Sequence, residues 1–480
     1  MKTAGADKNY LSQTDAIMWM VESDPLLRST ILGVALLDRM PDWAGLVDRV
    51  DRTTRLVPNL RRKVVKPPLH PNLLRWEVDP DFDLSYHVRH VALPAPAGVQ
   101  QVIDFARHTA MQGFDRARPL WEFTLIDGLE GGGAALVMKV HHVLTDGVGS
   151  VQLAAYLFDV AADADTSDVE MAELPDAGAG DFLSRLRDVV EHDVDSVVGL
   201  ARRNAPSVIP NLLRALRHPQ QAMADTVSVV RSIARTVAPA SDTLSPVMTE
   251  RHLATCFRTI DVPLKVLHDG AKMAGGTVND GFLAGISGGL RRYHELHGAV
   301  VDELRVAMPI SLRSQTDAVG GNHVTVMRFK VPVGLADPAE RIRALHELGR
   351  RVRDEPSLAH TSAIAGVLNL LPREVIGSIL KHVDFLASNV PGVPIPLYLL
   401  GAEVQRFYPF GPTAGSAVNV TLMSYRDTCC LGINIDAIAI PDHDVFMACL
   451  QAGFDEVLDL VPTAPAKQPV ARKRVRPAGG

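Results

Sequence analysis

The sequence predicts an α/β protein with mixed, α+β-type sheets arranged as two domains. Three observations carry this expectation. Strand-like and helix-like runs alternate in both halves of the chain, an acidic Ala/Gly/Pro-rich stretch lies between the halves, and the 480 residues suffice for several domains at the usual ~100–200 residues each.

Taken in order, a helix is expected from Val99 to Met111, where Val99, Val102, Ile103, Ala106 and Ala110 recur at helical spacing. Strand-like runs follow at 121–129 and 134–142. Glu130-Gly131-Gly132-Gly133 between them reads as a hairpin turn, because a glycine loop that cradles phosphate needs a helix directly after it. A loop with Asp146-Gly147 then leads to a helix expected through Phe158, with Ser150 as its N-cap. From Asp159 to Asp181 there are eight acidic residues and no basic one, a linker composition that ends the first domain near Val160. Residues 182–237 regain helical periodicity but are interrupted by Pro206, Pro210 and Pro219. Beyond Thr249, strands are expected at 254–262, 304–308, 324–333 and 430–440, and helices at 264–273, 280–296, 338–352 and 444–460. Asp337 as N-cap and Pro338 at the first helical position mark the start of the third of these helices. The expected organisation is an N-terminal domain over 1–160, an acidic linker and basic amphipathic helices over 161–248, a C-terminal domain over 249–464, and a basic disordered tail over 465–480.

Composition narrows the function classes. With 47% hydrophobic and 22% charged residues the chain is globular. No apolar run approaches the ~18–20 residues of a spanning helix, and MKTAGADKNYLSQ has no apolar stretch of signal-peptide type, so a cytoplasmic protein is expected. Cys256, Cys429, Cys430 and Cys449 form no CxxC pair, so neither a disulfide framework nor a metal site is expected. The formal charge is −6, but the tail from Lys467 to Arg476 carries five positive residues and no acid, which leaves −11 on the body. An acidic body argues against nucleic acid as the main partner. Within it, residues 201–240 set six arginines against Asp225 alone, a balance of +5; helices of this kind either connect domains or lie on an anionic lipid surface.

The most specific feature is His141-His142-Val143-Leu144-Thr145-Asp146-Gly147. In a continuing strand the two histidines point to opposite faces, so one of them serves a given site. Lys139 shares the face of His141 and is expected to mark the outer side, which places His142 in the interior cleft. An imidazole accepts a proton at neutral pH, and a positioned general base contributes typically ~10²–10⁴-fold. Asp146 supplies a carboxylate to fix the loop, and Gly147 allows a turn closed to other residues. A metal site competes poorly because adjacent strand histidines diverge, and no Gly-x-Ser-x-Gly elbow supports a serine triad. A structural histidine pair is the remaining alternative.

HHVLTDG resembles the HHxxxDG signature of the CoA-dependent acyltransferase superfamily. The surroundings are similar to the bacterial wax ester synthase/diacylglycerol acyltransferase family: LSQTDA from Leu11, Pro119-Leu120-Trp121, Thr277-Val278-Asn279-Asp280, Pro309-Ile310-Ser311-Leu312-Arg313, Gly321-Asn322, Ser388-Asn389-Val390-Pro391-Gly392 and Ser424-Tyr425. The resemblance implies two chloramphenicol-acetyltransferase-like domains with the active site at their interface. It implies transfer of a long-chain acyl group from acyl-CoA, as co-substrate and without a bound cofactor, to diacylglycerol or a long-chain alcohol. His142 would be the general base, His141 its support, and Asn279 and Ser424 candidates for holding the oxyanion or the substrate. Asn279 reads equally as a helix N-cap with Asp280 beneath it. Superfamily relatives imply that Arg313 pairs with Asp146 as a structural partner. Contact with a membrane or lipid-droplet surface follows as an expectation; acylation of another hydrophobic alcohol such as a polyketide, or a weakly active lipid-surface protein, are the alternatives. Two departures stand out: Ser29-Thr30-Ile31-Leu32-Gly33 where many relatives have Met-His, and Gly281 where a bulky apolar residue is usual. Gly281, Gly285, Gly288 and Gly289 fall on one helix face, which predicts either close packing or the wall of an acyl-chain tunnel.

Overall fold

A computed structural model of the chain describes residues 10–66, 74–144, 153–164, 242–311, 324–353, 377 and 381–462. Asp146, Gly147, Arg313, the stretch 165–241 and the basic tail lie outside them. Among the described residues the strands are β1 (Thr30–Leu37), β2 (Arg62–Val65), β3 (Arg75–Val78), β4 (Val88–Ala97), β5 (Trp121–Leu129), β6 (Ala134–His141), β7 (Thr255–Pro263), β8 (Glu303–Ser311), β9 (Val324–Pro332), β10 (Val383–Val393), β11 (Tyr398–Leu399), β12 (Ala402–Phe410), β13 (Ser416–Tyr425) and β14 (Thr428–Asp436). The helices are α1 (Gln13–Val21), α2 (Trp43–Leu56), α3 (Leu84–His87), α4 (Val99–Met111), α5 (Leu264–Met273), α6 (Val278–Leu296), α7 (Pro338–Arg353) and α8 (His443–Leu458).

The strands make two six-stranded sheets, ordered β11-β12-β1-β6-β5-β4 and β7-β14-β13-β10-β8-β9, with β2-β3 as a separate ribbon. Both sheets are mixed: β4 runs parallel to β5, and β10 runs parallel to β8 and β13, while the other pairs are antiparallel. The expected mixed α/β class is therefore the observed one. The two sheets do not follow the sequence halves, however. β11 and β12 come from the second half and complete the first sheet, with β12 against β1 from Leu32↔Phe410 to Leu37↔Val404.

The first core lies between that sheet and the apolar stripes of α2 (Leu46, Val50) and α4 (Val102, Ile103, Ala106), and it includes Phe257, Tyr425 and Cys430 of the second half. Phe257 of β7 stacks on Phe410 of β12 with ring centroids 4.4 Å apart, so the edge strand of the second sheet contributes to the first core. The second core gathers Leu267, Phe282, Ile286, Leu290, Phe446, Leu450 and Phe454 from its helices against β13 and β14.

Several expected boundaries are observed. The helix 99–111 and the strand 121–129 match α4 and β5, and the turn between β5 and β6 uses left-handed Gly131 and Gly132 (φ 78° and 80°). Asp337 caps α7, its Oδ1 accepting from the Glu340 N–H at 2.9 Å. β14 ends four residues before the expected boundary because Asp436 Oδ1 accepts from the Ile438 and Ala439 N–H groups and turns the chain. Asn279 is not an N-cap: Thr277 holds that position and shares a capping box with Asp280, which places Asn279 in the first turn of α6.

The glycine face of α6 is a packing surface, not a tunnel wall. A Cβ on Gly285 would lie 2.4 Å from Phe454, and one on Gly289 would lie 2.6 Å from the Leu450 backbone. Across the same contact a Cβ on Gly453 of α8 would lie 2.3 Å from backbone atoms of Gly285 and Gly289. Gly453→Ala must push two backbones apart, and is expected to cost about 1–3 kcal/mol, read as a lower urea midpoint.

Candidate active site

β6 is a central strand of the first sheet and every residue of it is buried. It ends at His141, one residue before the expected limit, and the chain turns there: the Leu144 N–H donates to the His141 carbonyl at 3.0 Å. His142 thus stands at the first position after the strand, half-buried, its N–H donating to the Ser29 carbonyl at 2.9 Å.

His141 is held on all sides. The Val143 N–H donates to its Nδ1 at 3.1 Å, which leaves the ring proton on Nε2, facing Glu22 Oε2 at 3.2 Å. The same Glu22 oxygen accepts from the Ser29 N–H at 2.8 Å. Trp19 and Phe114 meet the His141 ring edge-on, with centroids 6.2 and 5.8 Å away. The His141 N–H donates to the Leu120 carbonyl at 3.0 Å. The neighbouring Trp121 is locked by its Nε1 donating to Leu60 O at 2.7 Å, and its ring stacks on that of His87. Burial pushes the His87 imidazole below its usual range, so it is neutral at physiological pH.

The expectation that Lys139 marks an outer face is wrong. Its side chain is 0% exposed, with Nζ 3.3 Å from Glu122 Oε1 and 4.3 Å from the Phe114 ring centroid. The cause is a cross-strand pair: Lys139 lies opposite Glu122 in the β5–β6 register, and Glu122 also receives Arg89 at 2.6 Å. Burial pushes the Lys139 ammonium below its ordinary value while Glu122 opposes that shift.

In the second half, two candidates flank one strand. Asn389 of β10 donates through Nδ2 to Asn279 Oδ1 at 3.4 Å, and the Gly392 N–H donates to Ser424 Oγ at 3.3 Å. A Cβ on Gly392 would lie 1.4 Å from the Ser424 carbonyl oxygen, so only glycine fits there. The Asn279 turn is tied further by Asp280 Oδ2, which accepts from the Thr277 N–H and faces His346 Nδ1, both at 2.8 Å. Asn389, Gly392, Glu22 and Ser29 are the partners that reasoning from spacing did not single out. Asn389 and Gly392 stand inside a motif already noted, but Glu22 ends an apolar helix remote from His141 in sequence and gives no local signal.

Thiol chemistry is disfavoured. Burial pushes the Cys429 thiol up to about 12 and the Cys430 thiol up to about 11. Iodoacetamide at pH 8 is therefore expected to leave both unmodified in the native protein and to label them once it is unfolded. Among the described residues no group of three or more His, Cys, Asp or Glu side chains could hold a metal ion, and no helix is long and apolar enough to cross a membrane.

Known proteins match this arrangement along nearly the whole chain. Residues 10–282 match the wax ester synthase/diacylglycerol acyltransferase catalytic domain, and residues 320–457 match the WS/DGAT C-terminal domain. Rv2484c of Mycobacterium tuberculosis, assigned by name as a diacylglycerol O-acyltransferase, is 37% identical over 454 residues, covering 94% of this chain and 92% of its own. A wax ester synthase/diacylglycerol acyltransferase from Marinobacter aquaeolei superposes with a TM-score of 0.62 at 21% identity, covering 93% of this chain and 98% of its own. The first condensation domain of the CDA synthetase shares the fold at a TM-score of 0.59 and 15% identity, covering 96% and 98%. The chain is thus an acyltransferase. It belongs to the wax ester synthase/diacylglycerol acyltransferase family.

Proposed function

We propose that the protein transfers a long-chain acyl group from acyl-CoA to the hydroxyl of diacylglycerol or a long-chain alcohol, with His142 as general base. The observation that carries this reading is the contrast between the two histidines: His141 is buried and held by Glu22, whereas His142 is half-buried just past the strand end, with its backbone pinned by Ser29. A thioester is already activated, so a positioned base suffices. His142 takes the acceptor's proton as the oxygen attacks the thioester carbonyl. The tetrahedral oxyanion then collapses, the C–S bond breaks, and the imidazolium returns the proton to the leaving thiolate, giving an ester and free CoA.

The two sheet-bearing regions are read as chloramphenicol-acetyltransferase-like domains with this site between them, working at a membrane or lipid-droplet surface on the cytoplasmic side. Asn279 and Ser424 are the proposed holders of the oxyanion or substrate, and Gly147 the turn that closes the motif loop. The deciding experiment incubates purified protein with radiolabelled palmitoyl-CoA and, side by side, diacylglycerol, hexadecanol or buffer. Labelled triacylglycerol or wax ester supports the reading; release of free CoA without either ester refutes it.

Asp146 is proposed to pair with Arg313 and to shape the loop without touching substrate. A carboxylate aimed at the reacting hydroxyl would compete with His142 for the proton and repel the oxyanion. Asp146→Asn and Arg313→Gln should each lower stability, and the double variant should lose less than their sum; additive losses would break the pairing.

A further inference from the structure

Three consecutive cations open the β2–β3 ribbon, and they differ in their partners. Arg61 Nη2 meets Asp51 Oδ1 at 2.5 Å and its Nε donates to Thr54 Oγ1 at 2.9 Å. Lys63 Nζ meets Asp79 Oδ1 at 2.9 Å. Arg62, between them, is partly buried, and its side chain has no hydrogen bond or ion pair to any described residue. The sequence that follows, Pro67-Pro68-Leu69-His70-Pro71-Asn72-Leu73, contains no carboxylate to supply one. Burial alone pushes the Arg62 guanidinium below its ordinary value, and no neighbouring acid opposes the shift.

The direction of the side chain follows from strand parity. Arg62 lies opposite Val78, and Val64 opposite Trp76; alternate residues of a strand share a face, so all four point to one side of the ribbon. On that side Val64 and Trp76 pack in the cluster that includes Trp19, Leu120 and Val143, with Leu144 beside it. Val143 and Leu144 directly follow His142. Arg62 therefore sits about 7 Å along the strand from Val64, at the rim of the apolar cluster that holds Val143.

We propose that Arg62 binds a phosphate ester, presenting its planar fork of N–H donors to two phosphate oxygens. The chemistry suits either the phosphates of CoA or the headgroup of an anionic phospholipid. In the first case the placement also fits, since the pantetheine arm of an acyl-CoA separates its phosphates from the thioester and calls for a phosphate contact at the rim, away from the histidine. That case rests on the acyl-CoA reading above. A fork matching a phosphate is stronger than a point charge, so lysine should restore binding only in part.

The test compares the full-length wild type with Arg62→Gln and Arg62→Lys, with Arg39→Gln as a surface control, since Arg39 is exposed and among the described residues pairs with no acid but its neighbour Asp38. Loss of a charge-assisted pair typically costs about tenfold or more in affinity. If CoA is the ligand, calorimetric Kd for CoA and KM for palmitoyl-CoA both rise about tenfold in Arg62→Gln. In the same variant kcat stays level, and the rate with palmitoyl-pantetheine, which lacks phosphates, matches the wild type. If a lipid is the ligand, CoA binding is unchanged but sedimentation with phosphatidylglycerol vesicles falls relative to Arg39→Gln. Unchanged CoA affinity together with unchanged vesicle binding overturns the proposal. Should Arg62→Gln fail to fold, Arg62→Lys carries the same readouts. Absence of acyl transfer by the wild type would instead remove the acyl-CoA reading, and the calorimetric and vesicle arms would still decide the role of Arg62.

Discussion

His142→Ala is expected to lower acyl transfer by about 10²–10⁴-fold while leaving the melting temperature and acyl-CoA binding close to wild type. The half-buried ring stands beyond the last residue of β6 and its removal opens no cavity inside the sheet. His141→Ala should behave differently. It removes the partner of Glu22, the acceptor of the Val143 N–H and the ring between Trp19 and Phe114, so its loss of activity comes with a loss of stability. Turnover and thermal melting measured on both variants separate the two roles. More than a few per cent residual turnover in folded His142→Ala would refute the general-base assignment.

Glu122→Gln should have the largest effect on stability, about 3–5 kcal/mol, because it leaves the Lys139 ammonium without its acid at a position with 0% side-chain exposure. Lys139→Met should cost less, since Glu122 keeps Arg89 at 2.6 Å. The pH dependence has a definite sign. The folded-state value of Lys139 lies below its unfolded value, so between the two the unfolded chain binds more protons and stability rises with pH. The penalty from burying this charge is therefore full below the folded-state value and fades as pH rises toward ~10.4. Urea titrations of Glu122→Gln at pH 7 and pH 9.5 should show a narrowing gap to wild type; a constant gap would assign the loss to something other than the stranded lysine.

Much of this was legible in the sequence where a pattern is local. α4 shows its amphipathic stripe, α7 its Asp337-Pro338 start, and the β5–β6 hairpin its glycines. β13 was harder to read because most of it is buried on both faces, which removes the alternation that marks a half-exposed strand. β10 carries Asn389-Val390-Pro391-Gly392, a composition that reads as a loop, yet it pairs in parallel with β8 and β13. At the site, the two histidines were visible as a motif but their division of labour was inferred partly from a wrong premise. A lysine on a strand usually signals solvent; here the carboxylate that offsets its desolvation sits on the neighbouring strand, where no single-strand pattern reveals it. Glu22 shows the same limit, since contacts between distant segments leave no periodic trace.

The strand order of the first sheet has a consequence for biosynthesis. β1 and β6 can pair as soon as the first third of the chain has emerged, but the other edge of β1 belongs to β12, and the Glu403 N–H reaches Asp38 Oδ1 across 365 residues of sequence. At a synthesis rate of ~5–20 residues per second that edge waits on the order of tens of seconds for its neighbour. During that interval a strand reading Thr-Ile-Leu-Gly-Val-Ala-Leu-Leu presents open backbone donors and acceptors to any other nascent chain. A chaperone that shields the emerging polypeptide should thus raise the yield of soluble protein, whereas a fragment ending before residue 398 should aggregate even though it contains both histidines.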